Sequence, residues 1–318
     1  MKIALCISGQ IRCFHEYYEN IYKNLIEPND CDVFFYSDVY NFHELYLTGR
    51  GNTTTKFFKE DGTVAMHPNG NPYGRDPFLS EPVPRSEPFV SVERDKEIIT
   101  EMMKDVVGDR LKKMEITTED FKYKGEVLCR ENFEYHPTLR GEDEYRDPVN
   151  FSRPYVQFHK VKMCNDMKNE YEKEQGFRYD YVIRARTDCK YTNPICVKEI
   201  VNEMQTKNIW GDKIYLFGDW KPEHDNYPQI NIWEGFAFGT PDLMDTYCDF
   251  FLDYGKYYTY TKDSVYGTKR GLERSQRLAM HLHHHNIKMI PLKDNGYRQW
   301  PTRVYDWHNY GKPTREYM

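Results

Sequence analysis

Arg184, Arg186 and Asp188 close the segment YVIRARTD (181–188), whose first three residues, Tyr181, Val182 and Ile183, read as a buried strand. Two guanidinium groups and a carboxylate at a strand end suit a polyphosphate and a divalent cation. Arginine grips phosphate in forked geometry. A single Asp holds Mg2+ or Mn2+ whose other ligands are diphosphate oxygens and water. A second polar set, Ser8, Gly9, Gln10 and Arg12, follows the apolar run KIALCIS (2–8). Ligands of open α/β sheets bind beyond the carboxyl ends of the strands. If both strands are central and parallel, the two sets converge. A cation and an Arg placed there stabilise charge on a departing diphosphate more in the transition state than in the ground state. The plainer readings are a salt-bridged strand end for RARTD and a structural role for Arg12.

KIALCISGQIR (2–12), YDYVIRARTD (179–188) and GFAFGTPDLMDTY (235–247) together resemble nucleotide-sugar glycosyltransferases with the GT-A fold. The resemblance is to the bacterial and large-virus proteins related to the WavE lipopolysaccharide family, in which R-x-R-x-D stands where other GT-A enzymes carry D-x-D. It implies that Asp188 is the metal-binding acid, that Arg186 and Thr187 flank the donor, and that Gly9, Gln10 and Arg12 line the nucleotide pocket. Arg186 stands in the place of the first acid. The expected function is transfer of a hexosyl or pentosyl group from a UDP- or GDP-sugar to a glycan or other hydroxyl acceptor, with Mn2+ or Mg2+ at the diphosphate. The rival expectation is a catalytically degenerate nucleotide-sugar or carbohydrate-binding module.

Further residues weigh on that chemistry. Glu234, beside Trp233, is expected just before a strand, and Asp219 just after the strand KIYLFG (213–218). Either would serve as the base that takes a proton from an acceptor hydroxyl; for each, a plain surface carboxylate is the simpler reading. Trp233 or Trp220 offers an aromatic face to a sugar ring. In HLHHHN (281–286), His281 shares a helical face with His284 or His285, but a helix C-terminus with Asn286 as left-handed stop explains the run more simply than a metal. His308 is a further C-terminal metal-ligand position, and His159 reads as a core residue.

The elements that must position these residues follow from hydrophobic period. Strands are expected at 2–8, 31–39, 181–186, 213–218, 235–239 and 287–292. Helices are expected at about 15–27, 91–107, 154–175, 240–252 and 272–285. The last but one has Thr240 as its cap and Pro241 in its first turn. Strand, helix, strand at the N-terminus is a βαβ unit and requires a parallel pair. The expected fold is therefore α/β: one domain over 1–318, with a mixed, mostly parallel GT-A-like sheet flanked by helices. Two irregular insertions, about 40–90 and 121–153, are rich in Gly, Pro and charge, and are expected to border the acceptor side as a lid.

Composition narrows the alternatives. The 318 residues include 27 Tyr and 18 Phe, far from a disordered chain. A net charge of −6 speaks against nucleic acid as a partner. Eight Cys without a C-x-x-C pair suit free thiols in a reducing compartment. No window approaches 18 apolar residues and the N-terminus lacks a cleavage site, so no membrane span or signal peptide is expected. The expected location is the cytoplasm, the host's if the protein is viral. There is no G-x-x-x-x-G-K-[ST] or G-x-G-x-x-G, which argues against P-loop and dinucleotide sites.

Overall fold

A computed structural model describes residues 1–10, 14–38, 92–117, 122–123, 126–127, 148–187, 189–207, 213–221, 229–254, 274–292 and 302–303. The seven-stranded sheet is built from β1 (Ile3–Gln10), β2 (Asp32–Asp38), β3 (Leu111–Thr117), β6 (Tyr181–Ala185), β8 (Lys213–Lys221), β9 (Gln229–Gly239) and β10 (Lys288–Pro291). Their order is β10-β8-β9-β6-β1-β2-β3. β9 alone among them runs antiparallel to its neighbours; β1, β2, β3 and β6 pair in parallel, as does β8 with β10. The sheet is thus mixed and mostly parallel, in line with the expected α/β class. Two short antiparallel pairs stand apart: β4 (Lys122–Tyr123) with β5 (Glu126–Val127), and β7 (Cys189–Lys190) with β11 (Thr302–Arg303).

The central strands are apolar over most of their length because both faces are covered. On one side Ile3, Leu5 and Ile7 pack with Phe14, Ile21, Ile99, Met103 and Ile200, from α1 (Phe14–Ile21), α2 (Val92–Val107) and α4 (Val197–Thr206). On the other, Ala4, Cys6 and Val182 pack with Phe158, Cys164, Tyr247, Phe250 and Leu278, from α3 (Pro148–Gln175), α5 (Pro241–Asp253) and α6 (Arg274–His284). α3 packs against both the sheet and α5, which explains why it buries more than one stripe. His159 is fully buried there, its ring edge-on to Tyr36 and Phe251, as a core histidine should be. Lys168, also fully buried, pairs with Glu172 at 3.2 Å and Asp245 at 3.6 Å.

Helix ends follow their local chemistry. Gly176 (φ +67°) ends α3 in the left-handed region, and Asn286 (φ +56°) does the same after α6. Pro241 takes the first helical position of α5, but Thr240 makes no side-chain capping bond. Asp180, just before β6, works at the opposite edge from the strand ends considered below: its carboxylate accepts from the Lys2 N–H at 2.6 Å and its own N–H donates to the Lys2 carbonyl at 2.8 Å.

Several boundaries differ from the sequence expectation. β3 lies where no strand was expected. Only Ile116 of its residues is fully buried, so this edge strand carries no strong apolar signal. β8 and β9 each extend several residues further toward the connection between them, so Asp219 and Glu234 lie within strands, not beside them. Insertion 40–90 lies outside the described residues. Of 121–153, only β4, β5 and the beginning of α3 are described. Among the described residues, no helix is long and apolar enough to cross a membrane, and Cys6, Cys31, Cys164, Cys189, Cys196 and Cys248 are free thiols.

Candidate functional site

β1 is the strand at which the order of the sheet reverses. Its chain partner β2 lies on one side and β6, reached much later, on the other. Such a switch point is where an open α/β sheet leaves a crevice at its carboxyl edge. The register sets Ile7 beside Ala185, so that Ser8 to Gln10 run alongside Arg186 and Thr187. The approach is close: a Cβ placed on Gly9 would lie 2.7 Å from Thr187 Oγ1 and 3.5 Å from the Thr187 nitrogen. Only glycine lets the two strand ends meet. On the β2 side, the Ser37 hydroxyl donates to the Gly9 carbonyl at 2.6 Å, and Gln10, the last residue of β1, stands opposite Asp38. Of the two polar sets, the described residues bring Ser8, Gly9 and Gln10 beside Arg186 and Thr187.

The reversed strand adds to the same edge. β9 pairs Phe236 with Ala185, so the residues before Phe236 continue past the end of β6. Glu234 therefore reaches the carboxyl edge and is 4% exposed. This overturns the reading of Glu234 as a plain surface carboxylate. Asp219 lies further out on the β8–β9 ribbon, opposite Asn231. In the same ribbon Trp233 stands opposite Phe217, and Trp220 opposite Ile230.

The buried charges at this edge share a neighbourhood. Arg184 is 1% exposed, and its Nη1 donates to the Gly235 carbonyl at 2.7 Å. Its Nε and Nη2, like the Ser8 hydroxyl, have no hydrogen-bond partner among the described residues. Unfilled capacity on buried groups calls for an explanation, and an anionic ligand supplies one. Arg186 and Thr187 are also buried. Burial pushes the Tyr247 phenol well above its usual range; Arg184 and Arg186 pull the other way and Glu234 pushes up, so all three charges lie within electrostatic reach of that hydroxyl. Tyr247 lies on α5 and its hydroxyl is 3.4 Å from the Glu234 carbonyl. Arg12, Asp188 and His308 lie outside the described residues.

The chain that follows Asp188 is held from α1 and its continuation, a π-helical stretch Tyr22–Ile26 and a turn Glu27–Asn29. Asn20 accepts from the Tyr191 N–H at 2.7 Å and donates to its carbonyl at 2.9 Å. Asn24 donates to the same carbonyl at 3.1 Å. Asn29 donates to the Ile195 carbonyl and accepts from the Val197 N–H, both at 2.7 Å. The spacing of four and then five residues puts the three asparagines on one face because a π turn lies between the last two. Sequence reasoning missed this clamp, and missed Ser37, Asp38 and Tyr247. The first two stand at the end of CDVFFYSD, the same kind of signal as SGQ and RTD. Tyr247 looks in sequence like any core aromatic on an amphipathic helix.

No protein-family model matches the chain, and no curated protein is significantly similar to it.

Proposed function

We propose that the protein is a nucleotide-sugar glycosyltransferase of the GT-A type, working at the carboxyl edge of β1, β6 and β9. The observation that carries this reading is the contact of Gly9 with Thr187 at the switch point, which brings Ser8, Gly9 and Gln10 beside Arg186 and Thr187. It is supported by the two buried guanidinium groups and by Glu234 on the adjacent strand. A mixed, mostly parallel sheet with helices on both faces is what the GT-A reading requires.

In this reading the space at Gly9 takes the nucleotide diphosphate, and Arg186 and Thr187 border the bond to be broken. Asp188 would hold Mn2+ or Mg2+, which when bound neutralises diphosphate charge. The C1–O bond to the diphosphate breaks with its electron pair leaving on oxygen, and a bond from C1 to the acceptor oxygen forms. Glu234 takes the acceptor's proton, with Asp219 as the rival base. Arg184, fastened to the Gly235 carbonyl, holds positive charge beneath the diphosphate and the backbone of Glu234 in place. One observation favours the degenerate-module alternative: Arg186, 3% exposed, fills the position where D-x-D enzymes carry their first acid.

The test is calorimetry with UDP-, GDP- and CMP-sugars, with and without Mn2+, on the protein and on Asp188→Asn. Metal-dependent binding of one donor class, lost in Asp188→Asn, is expected. Slow hydrolysis of that donor without acceptor separates the enzyme from the binding module. Failure of every nucleotide sugar to bind overturns the transferase reading and the nucleotide-sugar form of the module.

A further inference from the structure

A second group of ligating side chains lies in the helical layer, built from α5, α6 and the turn after α6. Asp253 ends α5, His281 lies in the last turn of α6, and His285 follows one turn later. One ligand atom from each lies within 4.8 Å of the others. The Asp253 carboxylate oxygen Oδ2 is 3.6 Å from His281 Nδ1 and 3.8 Å from His285 Nε2. The edge between two ligands of a tetrahedral ion with bonds of about 2.0–2.1 Å is roughly 3.4 Å. Both Asp253 distances lie within a few tenths of an ångström of that edge.

The tautomer of His281 is the second observation. Its Nε2 lies 2.8 Å from the Thr246 carbonyl, which can only accept, so Nε2 carries the proton. In the neutral ring Nδ1 then presents a lone pair to the Asp253 carboxylate. With Nε2 committed to the Thr246 carbonyl, Nδ1 is the nitrogen that faces the Asp253 carboxylate, 3.6 Å away, where a cation fits between them. A backbone carbonyl that accepts from the far nitrogen of a ligating histidine is the usual support of metal-binding imidazoles. The ring is further held by Phe250, centroid to centroid 5.4 Å, and lies 4.6 Å from the ring of His285. His281 is 1% exposed, whereas the His285 side chain is 46% exposed, which leaves the outer side open for water or an incoming ion.

We propose that Asp253, His281 and His285 bind a divalent transition-metal ion, zinc by ligand preference, that fastens the end of α5 to the end of α6. Two imidazoles and one carboxylate suit zinc and its neighbours, whereas Mg2+ and Ca2+ take all-oxygen sets. The inference is independent of the transferase reading, because none of its ligands lies at the strand edge.

The experiment uses the full chain, stripped with chelator and titrated with Zn2+, Co2+ or Mg2+. Stoichiometry comes from calorimetry and metal analysis, and geometry from the visible spectrum of the Co2+ form. His285→Gln is the main variant, because its exposed side chain leaves the metal-free melting temperature unchanged; Asp253→Asn is the second, and Asp188→Asn the control for metal at the strand edge. The expected result is tight zinc binding that raises Tm, a tetrahedral Co2+ spectrum, and no comparable effect of Mg2+. Both ligand variants should weaken zinc by more than the roughly 10–100-fold typical of losing a supporting partner alone, while Asp188→Asn retains it. The proposal is overturned if zinc does not bind, if His285→Gln binds it as the parent does, or if Asp188→Asn abolishes it.

Discussion

At the residue scale, the edge of the sheet turns on two positions with opposite demands. Gly9 must be small. Gly9→Ala drives a methyl into the fully buried Thr187 and should cost about 1–3 kcal/mol, the range for overpacking. Thr187→Ala in the same chain removes the clashing oxygen and should restore part of that loss. Denaturant midpoints of the two variants decide the point, and an unaltered midpoint in Gly9→Ala would mean the strand ends separate freely. Glu234 must be ionisable. If it is the base, Glu234→Gln lowers turnover by about 10²–10⁴-fold with nucleotide-sugar affinity retained. Should that loss appear in Asp219→Asn instead, the role belongs to the outer ribbon. Both residues were visible in the sequence as types, but their settings were not. Glu234 could be placed only by knowing that β9 runs backwards past β6.

At the scale of elements, α3 is the clearest test of how burial and charge combine. Lys168 is completely buried and its ammonium is shared between Glu172 and Asp245. Glu172 also accepts from the Tyr179 N–H at 2.9 Å, so the network ties α3 to the entry of β6. Lys168→Ala strands the Glu172 carboxylate and should destabilise by about 3–5 kcal/mol. A cost below about 1 kcal/mol in a urea titration would mean that water or the backbone takes over the pairing. The sequence made the buried parallel strands, the helix stops at Gly176 and Asn286 and the βαβ start legible, because each is a local pattern. It did not make β3 legible, since an edge strand buries little, nor the asparagine clamp, since its three residues align only through a π turn. The longer reach of β8 and β9 was hidden because a protruding ribbon need not alternate as a sheet packed on a core does. For the same reason the strand-end rule found SGQ and RTD but passed over Ser37 and Asp38, whose strand seemed explained by its apolar body.

At the scale of the whole molecule, buried phenols set the alkaline limit. Burial raises the Tyr215 hydroxyl to about 12. Tyr179 and Tyr247 are pushed higher still by burial, the former with further help from its 2.7 Å bond to Asp32. The Cys31 thiol is raised to about 12 by the same cause. The native state holds these protons while the unfolded chain releases phenolic ones above a pH of about 10. Their contribution is therefore complete below about pH 10 and is lost as pH rises through the native values. Urea midpoints should fall steeply from about pH 10 to 12, and the fall should be shallower in Tyr215→Phe, which keeps the ring stacked on Phe238 at 4.8 Å. A flat profile across that window would show that these hydroxyls ionise without unfolding.

The one reversed strand has a consequence for how the protein can be redesigned. In an all-parallel sheet each strand is followed at its carboxyl end by a loop and then a helix that carries the chain back to the opposite edge. Here β8 ends at Lys221 and β9 begins at Gln229, both at the carboxyl edge of β1 and β6. On the transferase reading proposed above, changing the length or sequence of residues 222–228 should alter acceptor choice while the urea midpoint stays that of the parent; assays against a panel of acceptors check it.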